Sequence, residues 1–91
     1  MSRLIFDIET NGLLDALTKV HCIVLKDADT GEAVGYADQP GHRPLSEALA
    51  RMAEADMLIG HNVIGFDLPA LKKVYPEWSP RGVIRDTMIY A

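Results

Sequence analysis

The sequence predicts an α/β domain built on one mixed sheet: three antiparallel strands, then an alternation of helix, strand, helix and strand. Three observations predict it. Short runs rich in β-branched and aromatic residues open the chain, with turn-forming residues between them. Two later stretches carry apolar residues at helical spacing. Each of those is followed by an apolar run too short to be a helix. Strands that alternate with helices favour a sheet with helices on its faces. The fourth strand is expected parallel to the first, after a right-handed helical crossover.

Arg3 to Ile8 reads as a buried first strand, stopped by Thr10-Asn11-Gly12 because Asn-Gly favours turns. Val20 to Leu25 is the second strand. Asp27 to Gly31 is a turn, and Glu32 to Ala37 the third strand, so this pair reads as an antiparallel hairpin. Gln39-Pro40-Gly41 ends it. Pro44 to Ala55 is a helix, with Leu45, Ala48, Leu49 and Met52 on one stripe and Pro44 in the first turn, where it is tolerated. Met57 to Gly60 is a buried strand. Asp67 to Tyr75 is the second helix, with Leu68, Leu71 and Tyr75 on one side and Pro69 in its first turn. Val83 to Arg85 is the last strand. Asp86 and Thr87 read as the cap of a further helix through Met88, Ile89 and Tyr90.

A chain of 91 residues has the length of one domain, and 48% apolar with 24% charged residues is globular composition. The net charge of −4 leaves no general positive field with which to grip a polyanion. The acid excess is local. Residues 1–38 hold three basic and seven acidic side chains, whereas residues 39–91 hold six of each, so the first part is set up for cations or must tolerate its own repulsion. The single cysteine, Cys22, excludes an internal disulfide and is expected in the core. No apolar run reaches membrane-spanning length and no leader precedes the first strand, so a soluble, cytoplasmic protein is expected.

Three places can carry chemistry. Asp7 and Glu9, two apart on a strand, project from the same face. Two carboxylates that close repel unless protonated, separated by water or joined by a cation, and hard oxygen ligands favour Mg²⁺ or Mn²⁺. Spacing alone is weak evidence, since thirteen acids in 91 positions supply about 0.4 such pairs by chance. The second place is Gly60-His61-Asn62-Val63-Ile64-Gly65-Phe66-Asp67, a strand-to-helix junction of the kind where α/β sheets bind ligands. Asp67 is expected at a helix N-terminus, as a functional carboxylate or simply a cap. His61 is a ligand, a base or a hydrogen-bonded loop residue, and Asn62 suits a sugar, a phosphate or the loop's own backbone. The third place, Asp86, reads as a cap. Lys72 and Lys73 read as a solvated helix face, or with Arg81 and Arg85 as a small phosphate-contacting patch.

Taken together, Phe6-Asp7-Ile8-Glu9-Thr10, His61-Asn62-x-x-x-Phe66-Asp67 and Asp86-Thr87 resemble the 3′–5′ exonuclease domains of the D-E-D-D superfamily. The first stretch is similar to the motif called Exo I and the second to Exo II. The likeness is closest to the N-terminal proofreading domain of phage family A DNA polymerases, through Asn11-x-Leu13-Leu14 and Lys19-Val20-His21-Cys22 as well. The resemblance covers essentially the whole chain and implies a ribonuclease H-like fold. It implies that Asp7, Glu9 and Asp67 hold a pair of Mg²⁺ or Mn²⁺ ions, with Asp7 bridging them. It implies that Thr10 and Leu13 meet the 3′ end of single-stranded DNA, and that Asn62 lies near the substrate strand. Metal-assisted phosphodiester hydrolysis suits such a site, because two divalent ions stabilise the attacking and leaving oxygens.

The third motif of that family, a tyrosine or histidine followed shortly by aspartate, has no counterpart here: no aspartate follows Tyr90. The expectation is therefore a partial domain over residues 1–91, truncated at its C-terminus, with weak or absent activity. Sheet surface left bare would invite a partner or a homodimer. The competing readings are a non-catalytic binding or assembly module that retains the sheet, and an α/β domain whose acids are only caps.

Overall fold

The computed structural model describes residues 2–88. Five strands form one sheet: β1 (Arg3–Thr10), β2 (Val20–Asp27), β3 (Ala33–Tyr36), β4 (Met57–Gly60) and β5 (Val83–Asp86). Helix α1 (Leu45–Glu54) joins β3 to β4, and a π-helical turn (Val63–Asp67) runs directly into α2 (Leu68–Val74) between β4 and β5. The spatial order is β3-β2-β1-β4-β5. The β1–β2 and β2–β3 pairs are antiparallel and β1–β4 is parallel, as the element order predicts, and β4–β5 is parallel as well. The part of the expected terminal helix at Ile89 and Tyr90 lies outside the described residues.

β1 is the central strand, and it is half-buried rather than buried. Leu4, Phe6 and Ile8 point into the core, whereas Ile5, Asp7 and Glu9 are exposed. The alternation follows from the two-residue period of a strand with one face covered. Both helices lie on the covered face. Leu45, Ala48 and Met52 of α1 and Ala70 and Leu71 of α2 share one core with Leu4, Phe6, Ile8, Ile23, Leu25, Tyr36 and Leu58. The predicted stripe on α1 is the buried one, with Leu49 half-buried beside it. Side-chain bonds fasten the layers: Arg51 donates to the Tyr36 hydroxyl (2.7 Å), and the Trp78 indole donates to the Leu49 carbonyl (2.9 Å).

No helix among the described residues covers the other face. The register sets Asp7 beside Val24, Glu9 beside Cys22, Ile5 beside Lys26 and Ile59, and Ile59 beside Arg85 on that side. Cys22 is therefore half-buried next to Glu9, not in the core. Its neighbour Ile23 takes the inward position instead. The third strand is also shorter than the sequence suggests, since Glu32 and Ala37 fall outside it.

Gly82 sets the start of β5. A Cβ there would lie 2.2 Å from the Ala55 carbonyl oxygen and 2.5 Å from that of Asp56. Only a residue without a side chain lets this backbone lie against the α1–β4 junction. Val83 N–H then donates to the Asp56 carbonyl (2.9 Å) and starts the parallel pairing.

Candidate metal centre

Asp7 and Glu9 stand where the strand period puts them, on the exposed face of β1, with Glu9 near its C-terminal end. Immediately beyond Glu9 the ladder shifts: Glu9 pairs with Cys22 but Thr10 pairs with Val20, so His21 is an extra residue in β2. Such a bulge bends a strand and re-aims its end. The following loop is tied internally. The Thr10 hydroxyl donates to the Gly12 carbonyl (2.7 Å), and the Asn11 side chain accepts from Thr18 N–H (3.0 Å) and Lys19 N–H (3.1 Å). Leu17 anchors the loop in the core, while Leu13 is 77% exposed at its tip. Lys73 crosses from α2 to the loop, donating to the Leu14 and Asp15 carbonyls (3.0 and 3.2 Å).

The segment after β4 departs from the sequence reading. The helix begins at Val63, four residues earlier than expected, because one π turn precedes α2. Gly60 permits this, since a Cβ there would lie 2.3 Å from Val63 Cγ1 and 3.1 Å from the Phe6 carbonyl oxygen. Asn62 takes a left-handed backbone (φ 58°), a conformation Asn tolerates better than most residues. Asp67 therefore does not sit at a free helix N-terminus. Its backbone is right-handed helical and its carboxylate makes no capping hydrogen bond, so the simple cap reading fails.

Asp86 is the cap. Its carboxylate accepts from Asn62 N–H (2.8 Å), Ile64 N–H (2.9 Å) and Met88 N–H (3.0 Å). The Met88 bond is the expected local one. The bonds to Asn62 and Ile64 reach back more than twenty residues and satisfy donors that a helix start leaves free. His61 is exposed and shares a hydrogen bond with the Thr87 hydroxyl (3.1 Å), the bland outcome among its readings. Three of the four basic residues of the alternative phosphate patch have partners within the chain. Lys72 donates to the Trp78 carbonyl, Lys73 to the loop above, and Arg81 to the Glu54 carbonyl and Asp56, each in its own place.

The electrostatics single out Asp67. It is 7% exposed, and its carboxyl is pushed up from 3.8 to about 7. Burial is the largest cause, followed by the negative charges of Asp7, Asp86 and Glu9. Asp86 behaves oppositely. Burial would raise it, but the amides of Ile64, Met88 and Asn62 outweigh burial and hold it below the ordinary carboxylate range. Asp7, Glu9 and Asp67 thus lie within electrostatic range of one another. They stop short of a finished ligand set: among the described residues, no three His, Cys, Asp or Glu side chains are grouped closely enough to hold an ion. The donor chemistry itself, three carboxylates with one buried and unfavourably charged, fits a hard divalent cation. A cavity of about 570 Å³ opens at the other end of β1, lined by Ser2, Leu4, Asp27, Arg51, Glu54 and Arg81, and includes none of these acids.

The profile of the RNase H superfamily matches residues 4–87, which takes in every strand and helix apart from Arg3 at the start of β1. The chain belongs to the RNase H superfamily. The DNA-directed DNA polymerase of Escherichia phage T7 is 37% identical over 71 residues, covering 78% of this chain and 10% of that protein. The corresponding polymerase of Enterobacteria phage T3 is 35% identical over 71 residues, with the same coverage. This RNase H-like chain therefore spans about a tenth of the length of these curated relatives. A family B DNA polymerase from the archaeon Pyrobaculum calidifontis shares the fold, with a TM-score of 0.64 at 18% identity over 97% of this chain and 15% of that one. The kinship with phage DNA polymerases expected from the motifs holds. No helix among the described residues is long and apolar enough to cross a membrane.

Sequence reasoning placed Asp7 and Glu9 on one face but missed two features of this region. The π turn has no periodic signature in five residues. The grip of Asp86 on Asn62 and Ile64 joins stretches whose proximity only the β4–β5 pairing creates, through the register Gly60 to Asp86.

Proposed function

We propose that this RNase H-like domain belongs to a metal-dependent 3′–5′ exonuclease that removes nucleotides from the 3′ end of DNA. One observation carries the reading. Asp67 is a buried acid without a capping bond, raised to about 7 by burial and by the charges of Asp7, Asp86 and Glu9. Such a group is poorly explained as scaffolding, and a divalent cation would relieve it. Asp7, Glu9 and Asp67 would hold Mg²⁺ or Mn²⁺, which supplies neutralising charge to the phosphate undergoing hydrolysis. The backbone at Thr10 would meet the 3′ end, the exposed Leu13 would lie against the terminal base, and Asn62 would flank the strand. The setting is the cytoplasm of a bacterial or phage-infected cell. Alone, the 91-residue chain would cleave slowly or not at all, since Asp86 is engaged by backbone amides and leaves three carboxylates for metal.

A 3′-labelled single-stranded oligonucleotide with Mg²⁺ or Mn²⁺ tests this. Metal-dependent release of label that Asp7→Ala abolishes supports the reading, whereas release that survives Asp7→Ala assigns the activity to something else. The second reading is a non-catalytic binding module. It is favoured by the absence of three grouped metal-binding side chains among the described residues. Calorimetry separates the two: no heat with millimolar Mn²⁺ supports the binding module.

A further inference from the structure

We propose that Asp86 is a positioning residue: by accepting the amides of Asn62 and Ile64, its carboxylate fixes the π turn and thereby the placement of Asp67. Its consequence for metal binding rests on the exonuclease reading above, while its structural content does not.

A helix start leaves several N–H groups without acceptors, and the residue just before the helix usually supplies one. Here that residue, Asn62, makes no capping bond with its side chain and is itself in the left-handed region. The acceptor comes instead from the end of β5. Asp86 is 2% exposed, and its two oxygens are divided among three amides: Oδ1 takes Asn62 and Met88, and Oδ2 takes Ile64. Thr87 adds a second hold, its N–H donating to the Gly60 carbonyl (2.9 Å). The start of the segment is thus fastened to the sheet at a place set by the β4–β5 register.

Its other end is fastened by packing, because Ala70 and Leu71 of α2 are fully buried. Between the two, Phe66 N–H reaches the Asn62 carbonyl four residues back, while Leu68 N–H reaches the Val63 carbonyl five residues back. The π turn therefore accommodates one residue more than an α-turn would. Inserted residues of this kind are uncommon and are found frequently at functional sites. Released from Asp86, the segment can relax to α-helical bonding. Losing one residue from the turn re-phases it against the anchored α2 by roughly 100°. Asp67 closes the turn at its junction with α2, so the bonding of the turn and the setting of Asp67 change together.

The test uses the whole chain and two independent readouts. The first is the hydrogen-bond coupling from the Leu68 amide to the Val63 carbonyl, with amide-exchange protection at Asn62 and Ile64, all by nuclear magnetic resonance. The second is Mn²⁺ affinity by calorimetry. Asp86→Asn keeps the size of the side chain but loses its charge and one acceptor. It is expected to abolish the Leu68–Val63 coupling, lower protection at both amides, and weaken Mn²⁺ binding by about 10–100-fold. Asp67→Asn is expected to weaken Mn²⁺ binding while leaving coupling and protection intact, which separates placing the acid from being it. An Asp86→Asn protein that retains coupling and protection overturns the proposal. Should Asp86→Asn not fold, Asp86→Ser is read in the same way, and wild-type protection in that variant also overturns it. If the unaltered chain binds no Mn²⁺, the exonuclease reading fails, and the first readout still decides the role of Asp86.

Discussion

The carboxyl of Asp67 should make this protein less stable as the solution turns alkaline, and Asp67→Asn should remove most of that dependence. Its pKa is 3.8 for an ordinary aspartate and about 7 in the fold, raised by burial and by Asp7, Asp86 and Glu9. A carboxyl raised on folding binds its proton more tightly folded than unfolded. The stability it contributes is fully present below about pH 3.8 and is lost as pH rises through about 7. The whole span corresponds to about 4 kcal/mol. Most of it is still present at pH 5 and almost none at pH 8, so the loss between those two conditions is about 2–3 kcal/mol. Urea unfolding of the wild type and of Asp67→Asn at pH 5 and pH 8 isolates it, because the other titrating groups are common to both proteins. The wild type should lose about 2–3 kcal/mol more than the variant over that interval. Equal losses in the two proteins would refute the reasoning and leave Asp67 an ordinary carboxylate. Asp7→Asn should shrink the wild-type loss, since Asp7 is the largest of the charge contributions.

Three further outcomes follow from the packing. Gly60→Ala should destabilise by about 1–3 kcal/mol in urea, because its Cβ would meet Val63 Cγ1 at 2.3 Å and Phe6 backbone at 3.1 Å. Leu58→Ala, at a fully buried position on β4, should cost about 2–5 kcal/mol by the same measurement. Leu13→Ala should leave the unfolding free energy within about 0.5 kcal/mol of wild type, because the side chain is 77% exposed. The same variant should weaken binding of a single-stranded oligonucleotide measured by fluorescence anisotropy, and an unchanged Kd would remove Leu13 from the proposed interface.

Much of this architecture was legible because it is written in short-range periodicity. The alternation through Leu4, Phe6 and Ile8, the stripe Leu45-Ala48-Met52 and the turn at Asp27 each follow from residues within a few positions of one another. In that turn the Asp27 side chain accepts from Asp29 and Thr30 N–H, as an Asp in a turn is expected to do. The pairing of Asp7 with Glu9 on one face needs nothing beyond the strand period. The errors share a different origin. Cys22 lies beside Glu9 rather than in the core because register, not composition, decides which face a strand residue takes. Asp67 is expected to open a helix but closes a π turn instead, and the start of that turn is held by Asp86 in another strand. Lys73 is exposed as expected, but its ammonium also holds a loop 58 residues earlier in the chain, a partner no local pattern shows. Each miss involves partners that lie together only after the sheet has formed.

The half-covered central strand also separates two kinds of selection. Along β1, Leu4, Phe6 and Ile8 carry the packing, and drift at those positions would be purged for its effect on folding alone. Ile5, Asp7 and Glu9 face outward, where folding imposes little, so heredity can preserve or discard acids there according to what they do. One eight-residue strand thus divides its duties between alternate residues, with the constraint of folding on one side only.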